Sequence, residues 1–102
     1  MERILRHVVM FQFKRGTTES KVREIESSFA ALPEKIDSIR DFEWGTDASV
    51  EGKADGFTHC FVVTFAGEGD RDAYLPHPAH REFVSLVTPH KEKSLVLDYW
   101  AR

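Results

Sequence analysis

Residues 57–65 alternate without a break, and this run constrains the fold more than any other segment. Phe57, His59, Phe61, Val63 and Phe65 hold one parity; Thr58, Cys60, Val62 and Thr64 hold the other. A period of two belongs to a β-strand with one face against a core. Residues 4–14 read as another strand, closed by Gly16. One of its parities holds Leu5, His7, Val9, Phe11 and Phe13. The other, Arg6, Val8, Met10, Gln12 and Lys14, is apolar in the middle and polar at both ends. Both faces of this strand are therefore expected to be partly covered.

Between the two strands the period changes. Thr17 and Thr18 offer an N-cap, and Val22, Ile25, Phe29 and Leu32 recur at helical spacing until Pro33. A strand is expected over 38–46, with Phe42 and Trp44 on one face, followed by a polar loop ending in Asp55-Gly56. After 57–65, Asp70 is a candidate cap for a short helix carrying Tyr74, which Pro76 ends. Pro78 starts a further helix reaching about Thr88, and 94–100 form the last strand. The order β-α-β-β-α-β predicts an α+β, ferredoxin-like fold: a four-stranded antiparallel sheet with helices on one face. The opposite face would carry Val8, Met10, Cys60 and Val62. An uncovered apolar sheet face is a partner surface, so a sheet-to-sheet homodimer is expected.

Size and composition narrow the function classes. The 102 residues are read as one domain, which buries roughly 60 to 70% of its unfolded surface. Eight Phe and two Trp concentrate the core in a few large side chains. The net charge of −3, with scattered Lys and Arg, argues against nucleic-acid binding. Cys60 is the only cysteine, which fits a reducing compartment. Val8-Val9-Met10-Phe11 is too short for a signal peptide, and no apolar run is long enough to cross a membrane. A cytoplasmic location without membrane contact is the expectation.

The chemistry-bearing residues gather around Tyr74-Leu75-Pro76-His77-Pro78-Ala79-His80. Proline at the first helical position places His77 just before the helix and His80 in its first turn. Phe83, Val84 and Val87 follow His80 on one helical face, so its imidazole points at the core or at a pocket inside it. Such a residue needs a hydrogen-bond partner or a chemical task. If the helices cover the strand face that holds His7 and His59, all three histidines converge on one interior. His77 is expected to satisfy a free backbone group at the helix start. Cys60 is expected to act as an apolar thiol, and Asp98 to pair with a basic residue. No Asp, Glu or Cys has ligand spacing around the histidines, so no metal is expected.

Three segments carry a family resemblance: Arg6-His7-Val8-Val9-Met10-Phe11, Phe57-Thr58-His59, and Tyr74-x-x-His77-Pro78-Ala79-His80. With Leu97-Asp98-Tyr99 they span nearly the whole chain, which resembles the stress-responsive A/B barrel (Dabb) family. The resemblance implies a dimer whose two sheets close into a barrel. Family members include plant stress proteins and a polyketide cyclase that works without metal or organic cofactor. It further implies His80 as general base, Tyr74 as its assisting hydroxyl, and His7 and His59 as pocket histidines. Phe29 stands where the cyclase has a pocket tyrosine, and Phe42, Phe61 and Phe83 are the expected apolar walls. An apolar wall would keep the His80 ring neutral near pH 7, and Tyr74 could stabilise an oxyanion.

Three functions stay open at this point. One is cofactor-independent cyclase or lyase chemistry on a small, partly apolar carbonyl or aromatic compound. The second is a non-catalytic stress-response or interaction dimer. The third is a cofactor-free monooxygenase of the related dimeric ferredoxin-like group.

Overall fold

The computed structural model describes residues 3–102. Four strands form one antiparallel sheet in the order β2-β3-β1-β4: β1 Leu5–Phe13, β2 Asp41–Thr46, β3 His59–Phe65 and β4 Lys91–Trp100. The helices are α1 Glu19–Ala30, α2 Leu32–Lys35, α3 Glu68–Tyr74 and α4 Pro78–Val87, with a 3₁₀ turn at Thr88–His90 before β4. This is the expected ferredoxin-like arrangement. Among the described residues no helix is long and apolar enough to cross a membrane.

Local chemistry explains most element ends. The Thr18 hydroxyl accepts from the Lys21 backbone N–H at 3.1 Å and caps α1. Pro33 does not end helical structure as expected. It falls in the first turn of α2, where its missing N–H would have had no intrahelical partner. Gly67, not Asp70, is the residue before α3, and Asp70 joins Glu68 in the first turn, where acidic groups favour the helix dipole. Pro78 opens α4, and the His77 side chain caps it by accepting from the Ala79 N–H at 3.0 Å. That is the structural role expected of His77.

Register decides which side chains share a face. β1 lies between β3 and β4, with Leu5 opposite Phe65 and Trp100, and Phe11 opposite His59 and Ser94. Leu5, Val9, Phe11, Phe61, Val63 and Phe65 form the covered face. Onto it pack Ile25 and Phe29 of α1, Leu32 of α2, Tyr74 of α3, and Phe83 and Val87 of α4. Phe29 stacks on Phe61 at 4.4 Å between ring centroids and meets Phe83 at 4.5 Å. Among the described residues, no helix packs on the opposite face. There Val8 pairs with Val62 and Leu97, and Met10 with Cys60 and Leu95. Leu97 is 59% exposed.

Two strand boundaries differ from the sequence reading. β2 starts at Asp41 instead of 38, and β4 starts at Lys91 instead of 94. The early start of β4 includes a register shift opposite Gln12 and Phe13. Polar residues at that end hid it, because Lys91, Glu92 and Lys93 show no apolar alternation.

Candidate active site: a cavity between α3, α4 and the sheet

A cavity of about 220 Å³ lies between the helices and the sheet, walled by Phe11, Phe29, Phe83 and Val87. His7 from β1, Tyr74 from the end of α3 and His80 from α4 bring polar atoms to it, as do Lys91 and Ser94 of β4. The Tyr74 ring lies 4.4 Å from the His80 ring and 5.7 Å, edge-on, from the His7 ring, measured between centroids.

Hydrogen bonds set the proton positions. His80 Nδ1 is 2.9 Å from the Leu75 carbonyl oxygen. A carbonyl can only accept, so Nδ1 carries the proton and Nε2 keeps its lone pair. Burial pushes the His80 pKa below the usual 6.5; the Leu75 carbonyl opposes this, and the neighbouring His7 and His77 add to it. The ring is therefore held neutral near pH 7 with Nε2 as a base. His7 Nδ1 lies 2.7 Å from Asp98 Oδ1, its direct neighbour across the β1–β4 ladder. The carboxylate accepts, so here too the proton sits on Nδ1. Arg71 of α3 donates to the other Asp98 oxygen at 3.2 Å, tying α3 to β4 beside Tyr74.

The Tyr74 hydroxyl is the anomaly. Tyr74 is fully buried, yet its hydroxyl has no hydrogen-bond partner among the described residues. Burial raises its pKa well above the usual 10, so it remains a protonated donor. An unpartnered buried hydroxyl is destabilising by about 1–3 kcal/mol, and native structures keep few of them.

The structure brings His7, Phe29, Tyr74, His80 and Phe83 together around this cavity. Phe42 and Phe61 sit behind it, against Phe29 at 5.3 and 4.4 Å. His59 does not converge with the other histidines, contrary to expectation. It pairs with Phe11, four positions along β1 from His7, or roughly 13 Å at the usual strand rise. Its Nε2 is 2.7 Å from Glu26 Oε2 and its Nδ1 is 2.8 Å from the Thr58 hydroxyl. The ring stacks parallel to Trp44 at 6.2 Å, so it is satisfied where it sits. Shared parity placed His59 on the correct face but carried no information about position along it.

The sequence reading also missed the contact between Asp98 and His7 and the part played by Arg71. Asp98 meets a basic residue as expected, but its closest contact is His7. Arg71, its clamp, gave no signal, because nothing local links α3 to β4. Among the described residues, no three His, Cys, Asp or Glu side chains gather at metal-binding spacing.

Known proteins share both the sequence and the architecture. Residues 5–101 match the family described as the Stress responsive A/B Barrel Domain. The stress-response A/B barrel domain-containing protein HS1 of Arabidopsis thaliana is 36% identical over 95 residues, covering 93% of this chain and 87% of its own. Olivetolic acid cyclase of Cannabis sativa is 32% identical over 98 residues, covering 96% and 97%. Among solved structures, a hydroxynitrile lyase from Passiflora edulis superposes with a TM-score of 0.93 at 30% identity, covering 100% of this chain and 96% of that one. A dimeric protein of ferredoxin-like fold and unknown function from Bacteroides fragilis superposes with a TM-score of 0.75 at 25% identity, covering 94% of each. By family match and by fold, the chain belongs to the stress-responsive A/B barrel domain family.

Proposed function

We propose that the cavity binds a small, partly apolar carbonyl compound and that His80 and Tyr74 perform acid–base chemistry of the lyase or cyclase kind. The observation that carries this reading is the orphaned Tyr74 hydroxyl beside a histidine whose proton is held on Nδ1. His80 Nε2 would take the proton from the carbon next to a carbonyl. The charge that then collects on the carbonyl oxygen would meet the Tyr74 O–H. The resulting enolate carbon either attacks a second carbonyl, whose oxygen then takes the proton from the His80 imidazolium, or regains that proton itself. His7, Phe29 and Phe83 would form the binding wall, with Phe42 and Phe61 holding Phe29 in place and His59 supporting the far end of the sheet. The chemistry draws on groups the chain itself carries. Two similar proteins bear the names of a cyclase and a lyase, which supports this class.

We also propose that two copies of this single domain associate through the open sheet face. Leu95, Leu97 and Tyr99 stand exposed on it, and the Bacteroides fragilis protein is dimeric. An open depression of about 830 Å³ beneath the 47–58 loop, lined by Met10, Cys60, Val62 and Leu95 among others, extends onto that surface. The lone cysteine fits a reducing, cytoplasmic setting, and the charge of −3 does not fit a nucleic-acid partner.

The test is exchange of ketone α-protons in deuterated buffer, followed by proton NMR with small aryl ketones. Catalysed exchange that falls about 10²–10⁴-fold in a folded His80→Ala variant is the expected result. If wild type shows no exchange, and His80→Ala only lowers stability, the protein is a non-catalytic dimer instead.

A further inference from the structure

The first residue of β4 lines the cavity because of an irregularity in the sheet. Phe11 pairs with Ser94 and Gln12 with Lys93, but Phe13 pairs with Lys91. Two steps along β1 thus match three along β4, and Glu92 is the extra residue. Phe11 and Ser94 face the cavity side, so strict alternation would bring Glu92 there next. The bulge brings Lys91 instead and leaves Glu92 exposed. Re-aiming a side chain beside a site is a recurrent use of β-bulges.

The consequence is a change of sign. Among the described residues, Lys91 is the only Lys or Arg lining the cavity, and no Asp or Glu lines it. Lys91 has no ion pair among the described residues, whereas Lys93, two positions on, is held by Asp55 at 3.0 Å. The side chain is half-buried, so its stem can lie on apolar wall while the ammonium stays at the opening. Ser94 adds an exposed hydroxyl on the same side. His7, level with Asp98, lies four residues along β1 from the Phe11–Ser94 pair, roughly 13 Å away. The cavity is therefore cationic at one end, apolar in the middle and acid–base at the other.

We propose that the cavity selects small oxo acids. The carboxylate would sit against Lys91 and Ser94, the apolar body between Phe11, Phe29 and Phe83, and the carbonyl toward Tyr74 and His80. An apolar cavity of about 150 Å³ accommodates benzene; the 220 Å³ here therefore suits one ring or a short branched chain with small substituents. This substrate class rests on the carbonyl-pocket reading above and deepens it. The competing account is that Lys91 serves only the carbonyl end of the preceding helical turn, where a cation is favoured.

Titration calorimetry with para-acetylbenzoate and its neutral analogue para-acetylbenzamide separates the two. Wild type should bind the acid roughly tenfold more tightly than the amide, and added salt should erode that preference. Lys91→Arg should keep the preference. Lys91→Met should lose it while binding the amide as before, and Lys91→Gln serves the same purpose should the methionine variant fold poorly. Equal binding of acid and amide by wild type would overturn the oxo-acid inference and leave the carbonyl pocket standing. So would a lower melting temperature in Lys91→Met with the acid preference intact. Failure of both probes to bind wild type would overturn the inference and the pocket reading together.

Discussion

Tyr74 and His80 hold opposite kinds of imbalance, and each makes a separate prediction. The Tyr74 hydroxyl is buried without a partner among the described residues, so Tyr74→Phe removes a desolvated group and no hydrogen bond. The variant should be more stable than wild type by about 1 kcal/mol in urea unfolding, and should lose ketone exchange. A loss of stability would mean that the hydroxyl is hydrogen-bonded in solution. This is the stability–function conflict expected where a residue is kept for chemistry. His80 predicts a pH dependence. Its folded pKa lies below the unfolded 6.5, so between the two values the unfolded chain binds more protons. Stability therefore rises with pH through that window and is lost as pH falls below 6.5. Unfolding of wild type against His80→Gln from pH 8 to pH 5 should show the wild-type advantage shrinking on acidification. A constant difference would contradict a depressed pKa.

At the scale of elements, the site depends on how α3 and α4 meet. Tyr74 closes α3 and His80 lies in the first turn of α4, with the Pro76–His77 break between them. The His77 cap fixes where α4 begins, and the Leu75 carbonyl fixes the His80 ring. His77→Ala should therefore lower stability by about 1 kcal/mol, or about 4–8 °C in melting temperature for a domain of this size. His77→Asn, another side chain able to cap, should recover most of it. If both variants melt like wild type, the cap is not holding the helix. These features were legible in the chain: Pro at the first helical position, the cap before it and the alternation of β1 and β3 are local patterns. The start of β4 was not. A bulge arises from the register of two strands some eighty residues apart, and Lys91-Glu92-Lys93 carries no periodicity that announces it.

For the whole molecule, the sheet has one face under helices and one without. Leu97 stands on the open face in the edge strand β4, beside Val8 on β1. Leu97→Asp places a charge there at little expense to a monomer and at large expense to an apolar interface. Light scattering should show a dimer for wild type and a monomer for the variant; a wild-type monomer would remove the sheet-to-sheet arrangement.

The sequence by itself determined the element order, the covered and open faces of the sheet, and the turn that carries Tyr74, His77 and His80. Those are consequences of short-range periodicity and backbone chemistry, which a linear chain displays directly. Tertiary structure decided the rest. It set His7 against Asp98 and Asp98 against Arg71, held His59 apart with Glu26, and left the Tyr74 hydroxyl without a partner among the described residues. It also turned Lys91 to the cavity in place of Glu92. Each of these depends on register and distance between segments remote in sequence, quantities that parity constrains to a face but never to a position along it.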